Sequence, residues 1–169
     1  MAASRPWVLI TALILASAPV PAAEAAGLSG LALYGGIFNT ANDDNPTELG
    51  VEYRFAGLKL PSLPASMALR PAVGVAGTED GNAWIYGGLR LDLKLGGWAV
   101  TPQFAAALYE RGDGRDLGGV LEFRSGLEVS YRLARGPRVG VLFYHLSNGD
   151  FYELNPGSNS LVLTLSFGR

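Results

Sequence analysis

From residue 28 onward the chain alternates apolar and polar residues with period two, in successive segments that each stop at Gly, Pro, Asn or Asp. The segment 83–95 is the clearest. Ile85, Leu89, Leu91, Leu93 and Leu95 share one parity, and Tyr86, Arg90, Asp92 and Lys94 share the other. A repeat of two places alternate side chains on opposite faces of a strand, and no helix accommodates it. The same reading predicts strands near 28–38, 47–55, 66–76, 83–95, 98–109, 120–133, 138–147 and 159–167. That is an all-β chain with an even number of strands, each with one apolar and one charged face. Pro71 and Pro102 fall inside two of these strands, where each removes a backbone donor.

Two architectures fit such faces. A soluble sandwich or barrel hides the apolar face, whereas a membrane barrel turns it to lipid and packs the charged face inside. Hydrophobic residues make up 49% of the chain and mean hydropathy is +0.21. Beyond the N-terminus no apolar run approaches the roughly 18 residues of a spanning helix. Residues 1–25 read as an export signal: Arg5, an apolar stretch at 7–18, and an Ala23-Glu24-Ala25 cleavage site. Tyr53, Phe55, Trp98, Tyr131 and Phe167 gather at one end of their strands, as in an interfacial girdle. Long polar connections alternate with shorter ones. The expected product is a signal peptide over 1–25 and an eight-stranded antiparallel transmembrane β-barrel over 26–169, in the outer membrane of a Gram-negative cell. So small a barrel is filled by its own side chains. Glu52, Arg54, Arg90, Asp92, Glu122, Arg124, Glu128 and Arg132 are expected to fill it as mutually paired ions, leaving no pore.

Several functions are excluded. The chain has no cysteine for a disulfide or a thiolate metal site. A net charge of −2 provides no basic footprint for nucleic acid. The acidic loop residues Asp43, Asp44, Glu79, Asp80 and Asp113 read as solvated or as bridging lipopolysaccharide through divalent ions. No metal and no cofactor is expected.

The chemistry concentrates near the C-terminus. His145 is the only histidine, and Ser147 follows it by two residues. Parity carries the outward face of the seventh strand from Val139, Val141 and Phe143 to His145 and Ser147. On the eighth strand it carries Leu161, Leu163, Leu165 and Phe167 back to Asn159. All three polar side chains thus face lipid at the loop-side end of the wall. Strand neighbours lie about 4.8 Å apart and i, i+2 positions about 6.5–7 Å apart, so the three are within reach of one another. A hydroxyl, an imidazole and an amide are the parts of nucleophilic acyl transfer. Alone, His145 and Ser147 would read as interfacial residues where a strand leaves the membrane. Grouped on an apolar wall, they point to a site that acts on lipid.

His145-x-Ser147-Asn148, followed by Asn155-Pro156-Gly157-x-x-Ser160 and an apolar last strand, looks like the C-terminal signature of the PagL-type lipid A 3-O-deacylases. The resemblance covers the last quarter of the chain. It implies an eight-stranded outer-membrane barrel with its active site on the outer wall. It also implies a serine esterase that hydrolyses the 3-O-linked acyl chain of lipid A, with lipopolysaccharide and outer-membrane lipids as its partners. Ser147 would be the nucleophile and His145 the general base. Asn148 and the Gly149 backbone N–H would hold the oxyanion. The family's acid is a glutamate just before the last strand, and Asn159 occupies that place here. Asn159 would orient the imidazole without offsetting its charge, or Glu153 in the loop would supply the carboxylate. The other readings are a non-catalytic or degenerate barrel with a structural or adhesive role, and a soluble periplasmic lipid-binding barrel. Pairing of two barrels into a homodimer is left open.

Overall fold

The computed structural model describes residues 29–41, 45–58, 60–134 and 136–168. The expected export signal, Asp43 and Asp44 lie outside them. The described chain is a closed antiparallel barrel of eight strands in sequential order. They are β1 (Gly30–Ile37), β2 (Thr47–Arg54), β3 (Met67–Thr78), β4 (Ala83–Leu95), β5 (Trp98–Glu110), β6 (Leu121–Arg132), β7 (Arg138–Ser147) and β8 (Ser158–Gly168). β8 returns to β1 with Gly30 opposite Gly168 and Ile37 opposite Leu161, so no sheet edge is left open.

Odd and even positions separate as the alternation requires. Leu49, Ile85, Leu95, Phe104 and Leu163 lie on the exposed outer surface, while Glu52, Arg70, Arg90, Asp92, Arg124 and Glu128 are buried inside. Charge inside and hydrocarbon outside excludes a soluble lipid-binding barrel, whose faces would be reversed. The aromatic belt is present at one end. Trp98 and Tyr131 pack with ring centres 4.9 Å apart, and Tyr53 meets Phe55 edge-on at 5.0 Å.

At the centre of the interior, arginines and carboxylates pair in a network. Glu52 accepts from Arg54 (2.8 Å) and Arg90 (2.9 Å), and Glu128 accepts from Arg54 (2.8 Å) and Arg90 (2.7 Å). Arg70 holds Asp92 at 2.6 Å. Three of the residues expected to fill the interior stand differently. Arg124 is caged by aromatic rings, 3.8 Å from the Tyr144 centre and 4.6 Å from that of Tyr86, and donates to Gln103. Glu122 is buried with neither carboxylate oxygen hydrogen-bonded. Arg132 lies exposed at the strand end. Parity decides which side a residue faces, but not whether an opposite charge stands at the same height. Phe38, Trp84, Tyr109 and Leu117 close the loop-side end as a buried apolar layer. Replacing Glu128 with Leu leaves two buried guanidinium groups to share Glu52 alone, so a loss of about 3–5 kcal/mol is expected. Urea unfolding in detergent micelles would measure it, with Glu128→Gln losing less.

The prolines are accommodated locally. Pro71 lies opposite the end of β2, where Phe55 donates its N–H to the Pro71 carbonyl at 3.0 Å. The Phe55 carbonyl, which Pro71 has no N–H to serve, accepts from Arg70 Nη1 at 3.0 Å. At Pro102 the β4–β5 ladder breaks after Arg90–Gln103 and resumes in the same register at Leu93–Val100. The expected alternation of long and short connections holds except at 55–66, which is long yet lies at the turn end with 96–97 and 133–137, and at 79–82, which is short yet lies at the loop end.

Candidate active site

The register of β6, β7 and β8 assembles the site on the outer wall. Ser125, His145 and Asn159 form one row across the three strands, and Phe123 stands opposite Ser147 in the next row. His145, Ser147 and Asn159 are each half-buried. His145 Nδ1 lies 2.8 Å from Asn159 Oδ1. A carbonyl oxygen only accepts, so Nδ1 carries the proton and Nε2 presents its lone pair. Glu153 is on the exposed loop, and Asn159 occupies the imidazole position that a Glu153 carboxylate would have to take.

The 148–157 loop orients the serine. Ser147 Oγ donates to Asn155 Oδ1 at 3.2 Å and accepts from the Gly149 N–H at 3.2 Å. Asn155 Oδ1 also accepts from the Asn148 N–H (3.1 Å), while its amide donates to Asp150 Oδ1 (2.8 Å). Gly149 and Asp150 both have positive φ, 62° each, and Phe151 N–H closes the turn on the Asn148 carbonyl at 3.3 Å. Two consecutive left-handed residues make a type I′ turn. Ser147 and His145 are thus each bonded to an asparagine rather than to one another. Catalytic hydrogen bonds that are long or absent without substrate commonly tighten when it binds.

Asn148 differs from its expected position. It is fully buried, and its amide donates to the Leu117 carbonyl (2.9 Å) and the Leu154 carbonyl (2.7 Å). One donor ties the 148–157 loop to the 111–120 loop, and the other closes the 148–157 loop on itself. The signal was present in the sequence: Asn148 has even parity, which points inward.

Two contributors carried no expected role. Asn155 orients Ser147. Gly157, at φ 58°, lies against the imidazole, and a Cβ there would fall 2.6 Å from His145 Cε1 and 3.0 Å from Nε2. The Gly157 carbonyl is held by Arg115 Nε at 3.1 Å. A methyl group would strain the backbone by about 1–2 kcal/mol and push the imidazole off Asn159. Gly157→Ala is therefore expected to lower turnover about tenfold or more while gel mobility still reports a folded barrel.

Among the described residues, no group of three or more His, Asp or Glu is arranged to hold a metal ion. Glu79 instead accepts from the Thr47 N–H at 3.0 Å, and Asp80 from the Thr78 hydroxyl.

The fold and these side chains define a class: an eight-stranded barrel of outer-membrane type that carries a serine, a histidine and amides on its apolar wall. Within that class, the chain belongs to the lipid A 3-O-deacylase (PagL) family, whose profile matches residues 30–168. Among solved structures, the outer membrane enzyme PagL is similar at 16% identity and TM-score 0.65, covering 80% of this chain and 96% of that one. The outer membrane protein Ail of Yersinia pestis, in a phospholipid bilayer nanodisc, aligns at 9% identity and TM-score 0.49 over 82% of this chain and 99% of its own. Neisserial surface protein A aligns at 13% identity and TM-score 0.45 over 83% and 99%. No curated protein sequence matches.

Proposed function

We propose that this protein is an outer-membrane esterase that removes the 3-O-linked acyl chain from lipid A. The observation that carries the reading is a family member's barrel with Ser147, His145 and Asn159 together on its lipid-facing wall. Ser147 Oγ attacks the ester carbonyl, and His145 Nε2 takes the hydroxyl proton. The bond to the sugar oxygen breaks, and His145 returns the proton to that oxygen. Water, deprotonated by His145, then hydrolyses the acyl-serine and frees the fatty acid. Asn159 keeps the imidazole in the tautomer that leaves Nε2 free. The Gly149 N–H, already beside Ser147 Oγ, is the donor for the oxyanion, and Asn148 serves by holding that turn.

The surroundings suit a lipid. Phe104, Phe123 and Phe151 make a run of ring contacts of 5.8 and 5.7 Å next to Ser147, an apolar bed for an acyl chain. Lateral diffusion in the leaflet delivers substrate to a wall site without passage through the barrel. On export the signal would be cleaved after Ala25. The asparagine at position 159 favours a second reading, a barrel that keeps the fold but has lost the chemistry. Mass spectrometry of lipid A from Gram-negative cells expressing the protein separates the two. Loss of one 3-linked hydroxyacyl chain is expected. Unchanged lipid A beside folded barrel in the outer membrane would rule out this activity.

A further inference from the structure

The other end of the barrel carries a feature that deacylation does not use. The 55–66 connection folds back across the rim, pinned by Leu58 N–H to the Leu69 carbonyl (2.8 Å), Met67 N–H to Pro64 (2.8 Å) and Lys94 N–H to Ser66 (2.8 Å). Between it and the ends of β3 and β4 lies a cavity of about 490 Å³. Leu58, Leu60, Leu63 and Met67 line it on the apolar side, and Arg70 and Lys94 on the charged side.

Arg70 is fully buried. Its Nε serves Asp92 (2.6 Å) and its Nη1 the Phe55 carbonyl (3.0 Å), but Nη2 is buried with no acceptor. A buried guanidinium donor of this kind calls for an anion or water. Asp92 does not supply it: its Oδ2 accepts from Arg70 Nε and its Oδ1 from the Thr101 hydroxyl (3.0 Å). Lys94 also lies in the field of Arg132 and Arg138, so positive charge dominates this mouth. Leu58, Leu60, Met67 and Leu95 are exposed around it, at the end of the barrel that carries the Trp98–Tyr131 belt.

We infer that this cavity binds the phosphodiester of an anionic phospholipid from the leaflet on the turn side. Arg70 Nη2 and Lys94 Nζ donate to the phosphate oxygens, and the rim leucines border the acyl chains. A zwitterionic headgroup fits less well, since Asp92 is already held and offers its cation nothing.

The test is native mass spectrometry of the folded protein in nonionic detergent, incubated separately with phosphatidylglycerol and phosphatidylcholine. The wild type is expected to retain one phosphatidylglycerol. Lys94→Gln should lower that retention about tenfold, the scale of one charge-assisted hydrogen bond, and Lys94→Arg should restore it. Leu60→Glu, which puts a carboxylate on the cavity wall, should give a similar loss and covers the case in which Lys94→Gln does not fold. Equal retention by wild type and both loss variants would overturn the site. So would equal retention of the two lipids by the wild type. Displacement of phosphatidylglycerol by inorganic phosphate at matched concentration would overturn the lipid assignment in favour of a free-anion site.

Discussion

Cells making Ser147→Ala are expected to keep every acyl chain on their lipid A, at equal levels of folded barrel. In the serine-hydrolase template, loss of the nucleophile removes about six orders of magnitude from turnover. The substitution deletes one oxygen from a half-buried position on the outer wall. It leaves the Asn155 amide on Asp150 and the Asn148 ties to Leu117 and Leu154 in place. The loop therefore keeps its shape, and the loss reads the chemistry itself. Heat-modifiable gel migration checks that the barrel is intact. Continued release of the 3-linked chain by this variant would remove Ser147 from the mechanism.

Asn159→Glu is expected to accelerate the reaction, by up to about 10⁴-fold if the amide now limits it as an acid-to-amide change does in the serine-protease template. Asn159 already receives Nδ1–H at 2.8 Å, so the orienting contact exists. What the amide lacks is the negative charge that stabilises the imidazolium formed as Ser147 loses its proton. A carboxylate supplies that charge and keeps an acceptor for Nδ1–H. Asn159→Leu, which offers no acceptor, is expected to fall below the wild type. The measurement is the initial rate of fatty-acid release from lipid A in mixed micelles. A glutamate variant no faster than the leucine variant would show that position 159 does not act through the imidazole.

The barrel was legible because period two is a strong signal and lipid leaves it unmixed. β4 (Ala83–Leu95) and β7 (Arg138–Ser147) span the residues that alternation alone marks out. β3 runs past Ala76 to Thr78 and β8 opens at Ser158, since hydrogen bonding continues where polarity stops alternating. The row His145–Asn159 was equally legible, because parity and strand neighbourhood are both written in the sequence. Interior partners were not. Arg124 meets tyrosines from β1, β4 and β7, and their relative heights depend on the stagger of the closed sheet. Loop contributions were also hidden: Asn155 and Gly157 reach the site through a turn whose path two positive-φ residues set.

The imidazole and its orienting amide lie on different strands, and the second of these is the one that closes the barrel against β1. Until β8 docks on β7, His145 lacks its Asn159 partner. Assembly thus works as a safety interlock. On the function proposed above, a chain in which β8 is not yet paired carries every residue of the site yet lacks the oriented imidazole that would let it cut the lipids it passes.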